Sequence, residues 1–128
     1  MTGQLVPVVM VPRYTTYVGA DTYTTAPLNV EPYHKVALTF WTGPLVGQVA
    51  PVATFSAYFE ESHDAINWVQ CTVDGISQPY DDPGAVALMK ITFKLRWFRI
   101  RVVLTADDAD VAAITVWAAG SFEERTSE

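Results

Sequence analysis

Cysteine is almost missing from this chain. Cys71 is the single one in 128 residues, so no internal disulfide can form and no cysteine-rich metal site can be built. Positive charge is scarce too: Lys and Arg total 8 against 14 Asp and Glu, a net charge of −6. Nucleic-acid binding depends on cations that neutralise phosphates, so the balance argues against it. No stretch approaches the roughly 18 apolar residues of a membrane-spanning helix, and no membrane partner is expected. The opening residues, MTGQLVPVVMVPR, lack a basic start, and Pro7 and Pro12 interrupt their apolar run. No secretory leader is read there, so synthesis in a cytoplasm is expected.

Catalytic constellations are equally thin. His34 and His63 fall in expected loops, with no serine or cysteine in a recognisable nucleophile context. No glycine-rich phosphate loop is present. Asp107, Asp108 and Asp110 have the oxygens for Ca²⁺, but lack the spacing and distal glutamate of a known calcium loop; they read as a solvated loop. Glu60 and Glu61, as strand neighbours, point to opposite faces and cannot act as an acid–base pair. A non-enzymatic protein without cofactors is expected.

What the chain does have is period-two alternation, which half-buried strands show. Val36, Leu38 and Phe40 alternate with Ala37, Thr39 and Trp41. Phe55, Ala57 and Phe59 alternate with Thr54, Ser56, Tyr58 and Glu60. A run from Ile66 through Val73 follows, placing Trp68 with Ile66 in the core and Cys71, a small buried hydrophobe, with Val69 and Val73. Val86 to Phe93 comes after a turn-rich stretch. Phe98, Ile100, Val102 and Leu104 alternate with Trp97, Arg99, Arg101 and Val103, and Val111 to Ala119 closes the series. No segment carries a capped helical stripe; Ala106 to Ala113 comes nearest and reads equally well as a loop. The pattern predicts an all-β, antiparallel, jelly-roll-like β-sandwich over residues 33–128.

Residues 1–32 differ in character. Tyr14, Tyr17 and Tyr23 sit among threonines, and Pro7, Pro12, Pro27 and Pro32 space the segment out. Proline lacks the amide that a central strand needs, so this is a pair of edge strands or an extended arm that orders on a partner. The second notable cluster is cationic: Lys90, Lys94, Arg96, Arg99 and Arg101 crowd into twelve positions, with Arg99 and Arg101 on the face of Trp97. It reads either as a docking stripe for an acidic partner or as a solvated face paired with nearby carboxylates.

Phe59 to Trp68 holds the most specific motif, Ser62-x-Asp64-x-x-x-Trp68. Serine and aspartate can hydrogen-bond the amides of their own turn while the tryptophan packs beneath. It resembles the S-x-D-G-x-x-W hairpin of discoidin-like sandwiches and of phage structural proteins, with Ala65 where glycine is usual, which suggests a different turn type. The succession of Tyr33 to Phe40, this hairpin, Trp97 to Arg101 and Ser121 to Arg125 resembles small β-sandwich virion proteins of tailed phages, the capsid decoration or cement class. The resemblance covers residues 33–125. It implies a homo-oligomeric virion structural protein that binds a protein lattice (a major capsid protein or another virion protein). The residues expected to make the contacts are Lys94, Arg96, Trp97, Arg99 and Arg101 from the cationic cluster and Tyr14, Tyr17 and Tyr23 from the N-terminal segment. The alternative is a carbohydrate-binding or adhesion module that stacks a glycan on Trp41 or Tyr80.

Overall fold

A computed structural model describes residues 5–46, 53–106 and 112–125. It is an all-β sandwich of two antiparallel sheets. In chain order the strands are β1 (Leu5–Val18), β2 (Thr22–Thr24), β3 (Leu28–Asn29), β4 (Tyr33–Thr42), β5 (Thr54–Ser62), β6 (Val69–Gln70), β7 (Thr72–Asp74), β8 (Val86–Thr92), β9 (Trp97–Thr105) and β10 (Ala113–Glu124). The first sheet has the order β1-β10-β4-β8-β7. The second runs β2-β9-β5-β6, with β3 following β2 along β9.

The pairings are nested. β5 pairs β6, β4 pairs β8, β2 and β3 pair β9, and β1 pairs β10. This is one long antiparallel hairpin rolled over itself, the jelly-roll solution to covering two apolar faces. Alternation places the core as expected. Val36, Leu38 and Phe40 face inward from β4, Ala57 and Phe59 from β5, and Phe98, Ile100, Val102 and Leu104 from β9. Phe40 sits at the centre, edge-on to Phe59 and Tyr80.

Over residues 5–32, β1 pairs β10 along its length and β2 and β3 pair β9, so the segment supplies edge strands to both sheets, one of the two alternatives expected for it. Val11 and Val30 are buried in the common core. The exposed Pro7 and Pro12 fit an edge, where a missing amide costs no ladder bond.

The expectation of one continuous run from Ile66 to Val73 needs correction. The run breaks at Cys71, where the chain crosses from β6 in the second sheet to β7 in the first. Cys71 is buried, as expected, but does not share a face with Val69, which is exposed. Ile66 lies in the turn and is 77 % exposed, while Trp68 is half-buried on the outside of the second sheet rather than in the core. The Asp107, Asp108 and Asp110 cluster and most of the Ala106–Ala113 segment lie outside the described residues.

Candidate functional site

The turn after β5 is built as its motif implies. Ser62 Oγ accepts from the amides of Asp64 and Ala65, while Asp64 Oδ1 accepts from those of Ile66 and Asn67. Asn67 Nδ2 donates to Asp64 Oδ2. These bonds, led by the Asn67 and Ile66 amides, hold the Asp64 carboxyl well below the usual carboxylate range. Ala65 stands at φ +61°, the left-handed conformation that glycine takes at no cost. Alanine thus stands in a backbone conformation that favours glycine.

On the outside of the second sheet the cations are paired within the chain. Glu60, only 6 % exposed, takes Arg99 on Oε1 (2.9 Å) and Arg101 on Oε2 (3.1 Å). The Arg99 guanidinium lies over the Trp68 ring at 4.2 Å and that of Arg101 over Tyr58 at 4.0 Å. Glu60 is the direct cross-strand partner of Arg99, and Tyr58 of Arg101, so strand register alone assembles most of this cluster. Arg96 pairs with Glu31 at 3.5 Å, Lys94 is exposed, and Trp97 is half-buried. Glu61, on the opposite face, accepts from the Lys94 and Leu95 amides and fixes the β8–β9 loop. The structure does not gather the five cations into one unpaired stripe.

The three tyrosines separate. Tyr17 and Tyr23 stack on each other at 4.6 Å, and the Tyr23 hydroxyl donates to the Val18 and Gly19 carbonyls, tying β1 to β2. Tyr14 is 78 % exposed. Tyr80 is buried against Phe40, bridged both ways to the Ala57 backbone, and so offers no platform to a glycan.

Two surfaces remain that alternation along the chain does not assemble, although Tyr14 and Trp41 are among the residues expected to make contacts. One is the outer face of the first sheet. Leu5 and Val9 of β1, Val18 at its end, and Val86 and Leu88 of β8 are exposed there, Leu88 at 69 %, in the same layer as Ala37, Thr39 and Trp41 of β4 and Trp117 and Ala119 of β10. Its charges are few: Lys35 pairs with Glu123, Asp74 lies opposite Lys90, and Arg13 reaches over from β1. A signal for it exists in the sequence. Strands such as Val86-Ala87-Leu88-Met89 are apolar on both sides of the alternation, a pattern of strands covered on both faces.

The second surface is a cleft of about 260 Å³ on that same face, lined by Arg13, Tyr14, Trp41 and Trp117. Trp41 and Trp117 are direct cross-strand partners. Arg13 lies over the Trp117 ring at 4.5 Å.

Among the described residues, no three His, Cys, Asp or Glu side chains come close enough to hold a metal. The Cys71 thiol is pushed upward, mainly by burial and further by Glu61 and Glu60, so it stays protonated and unreactive. No helix among the described residues is long and apolar enough to cross a membrane. In comparisons with known proteins, the chain matches no family model, no curated protein and no solved structure.

Proposed function

We propose that this protein is a non-enzymatic structural module that binds and stabilises a protein lattice, of the kind a phage capsid presents, through the outer face of its first sheet. The observation that carries the reading is that exposed apolar face. Contiguous apolar patches beyond a few hundred Å² are rare on monomers and mark interaction sites. Four strands spaced by about 4.8 Å and rising about 3.3 Å per residue give a whole face, its charged residues included, of roughly 600 Å². That approaches the roughly 800 Å² that each partner contributes to a standard stable interface.

Charge selects the same face. The protein carries −6 overall, yet the central part of this layer holds few charges, two acidic and two basic ones set against each other and Arg13 at one edge. Most of it can therefore meet an apolar surface without desolvating the acidic excess. The virion setting is supported by the segment order that resembles decoration proteins. Many copies on a repeating lattice would compensate for modest single contacts through avidity.

The test is co-sedimentation with shells purified from the source of the gene. The wild type is expected to pellet with the shells and to remain bound as salt rises, since apolar contacts are not screened. A variant with Val9→Lys and Leu88→Lys, both at exposed positions, is expected to fold and stay in the supernatant. Ile66→Lys, on the far hairpin, should bind like the wild type. Absence of the wild type from the pellet, or equal binding by the double variant, sinks the reading. Binding that falls steeply with salt instead returns the docking role to the cations of the second sheet.

A further inference from the structure

We propose that the cleft of Arg13, Tyr14, Trp41 and Trp117 binds a carboxylate-bearing sugar, a uronic- or sialic-acid residue of a glycan. The proposal rests on these four residues and not on the lattice reading.

The cleft is made by an irregularity in strand register. Val11 pairs with Ala118 and Thr15 with Val116, so four steps along β1 match two along β10. Two extra residues therefore bulge from β1 opposite Trp117. The Thr15 hydroxyl closes the bulge by donating to the Pro12 carbonyl at 2.8 Å. Tyr14 takes φ +64° within it, a conformation that a bulky side chain rarely adopts. Bulges at sheet edges characteristically re-aim side chains next to binding sites. Here the bulge folds Arg13 over the Trp117 indole, and Tyr14 lines the same cleft as Trp41.

The chemistry of the lining specifies the ligand. Lys35, Arg96, Arg99 and Arg101 each have a carboxylate within 4 Å. Among the described residues Arg13 has none, and its planar fork of donors suits a carboxylate held bidentately. The indole N–H groups of Trp41 and Trp117 are donors only and the Tyr14 hydroxyl can also donate, so the lining favours a ligand rich in acceptors. Indole and phenol faces offer flat apolar area of the sort that a pyranose C–H face covers. At about 260 Å³, the cleft falls just below the range of drug-sized pockets, roughly 300 Å³ and up, which fits one ring better than a long chain. Arg13 also supplies local attraction for an anion that a protein of charge −6 would otherwise repel.

The experiment is a titration of the full chain followed by intrinsic tryptophan fluorescence and the indole N–H resonances. The probes are glucuronic acid, N-acetylneuraminic acid, methyl glucoside, acetate and a short glutamate-rich peptide. Both acidic sugars are expected to shift the Trp41 and Trp117 resonances and to bind at least tenfold more tightly than methyl glucoside or acetate. Arg13→Gln should abolish that preference and Tyr14→Ala should weaken all sugar binding; both sites are exposed, so the variants should fold. Absence of shifts, equal affinity for the neutral sugar, equal affinity for acetate, or binding of the peptide but not the sugars would each overturn the proposal. The Val9→Lys, Leu88→Lys variant should keep its sugar affinity, so lattice binding and sugar binding fail separately.

Discussion

Ser62 and Asp64 hold each other across the turn that follows β5: the serine hydroxyl donates to Asp64 Oδ1 at 2.8 Å. That contact fixes the carboxylate where the amides of Ile66 and Asn67 converge on the same oxygen. Its folded pKa lies below the ordinary value of about 4. The stabilisation it contributes is therefore complete above that pH and is lost as pH falls below it toward the folded value. Asp64→Ala is expected to lower the melting temperature at pH 7. The gap from the wild type should narrow as pH drops below about 4. A gap that is constant from pH 7 to 3 would show that the charge of Asp64 is irrelevant to the turn.

Ala65 provides a gain-of-stability test. Its left-handed backbone costs an L-residue roughly 1–2 kcal/mol, and glycine returns part of that through greater freedom in the unfolded chain. Ala65→Gly is expected to stabilise the protein by about 0.5–1 kcal/mol, read from the denaturant midpoint. No change, or a loss, would place Ala65 in an ordinary conformation.

Glu60 is the hub of the cluster on the second sheet. Removing it leaves two guanidiniums, each about a quarter exposed, without their carboxylate. A fully buried pair broken this way costs about 3–5 kcal/mol, and the exposure here reduces the expected loss for Glu60→Ala to about 2 kcal/mol. Arg99→Ala and Arg101→Ala should each cost less, since the other arginine still holds Glu60. Urea denaturation of the three variants tests the order; equal or zero losses would make the cluster a solvated face.

Truncation separates an edge strand from an arm. Deleting residues 1–12 removes the paired stretch Leu5 to Val9 and the buried Val11, and bares the edge of β10. The expected result is a large drop in melting temperature and aggregation through the open edge. A truncated chain that melts like the wild type would return the segment to the role of an arm.

Close backbone contact gives a final check on register. A Cβ added to Gly120 would collide with the Ala37 carbonyl oxygen, where β10 pairs β4. Gly120→Ala is expected to destabilise the sandwich severely and to raise amide exchange along β4. Native-like exchange would mean that the two strands meet elsewhere.

Local chemistry was legible in the sequence because it depends on neighbours along the chain. Alternation of Phe98, Ile100 and Val102 with Arg99 and Arg101 fixes which side of β9 is core, and Ser62 with Asp64 writes its own turn. The motif could not place Trp68, because its partner, Arg99, lies 31 positions away on another strand. The same holds for Glu60, whose two arginines arrive through the β5–β9 register, and for Arg13, which meets Trp117 only because β1 bulges against β10. The apolar outer face was written into strands such as Val86 to Met89, but alternation reports only that both sides are apolar, not which one stays uncovered. Sequence by itself determined the all-β class, the strand faces and the Ser62–Asp64 turn, since backbone geometry alone imposes a period of two. Tertiary structure decided which distant strands became neighbours, and with them the arginine–carboxylate pairs and both candidate surfaces, because those depend on nested pairings between residues as far apart as Leu5 and Glu123.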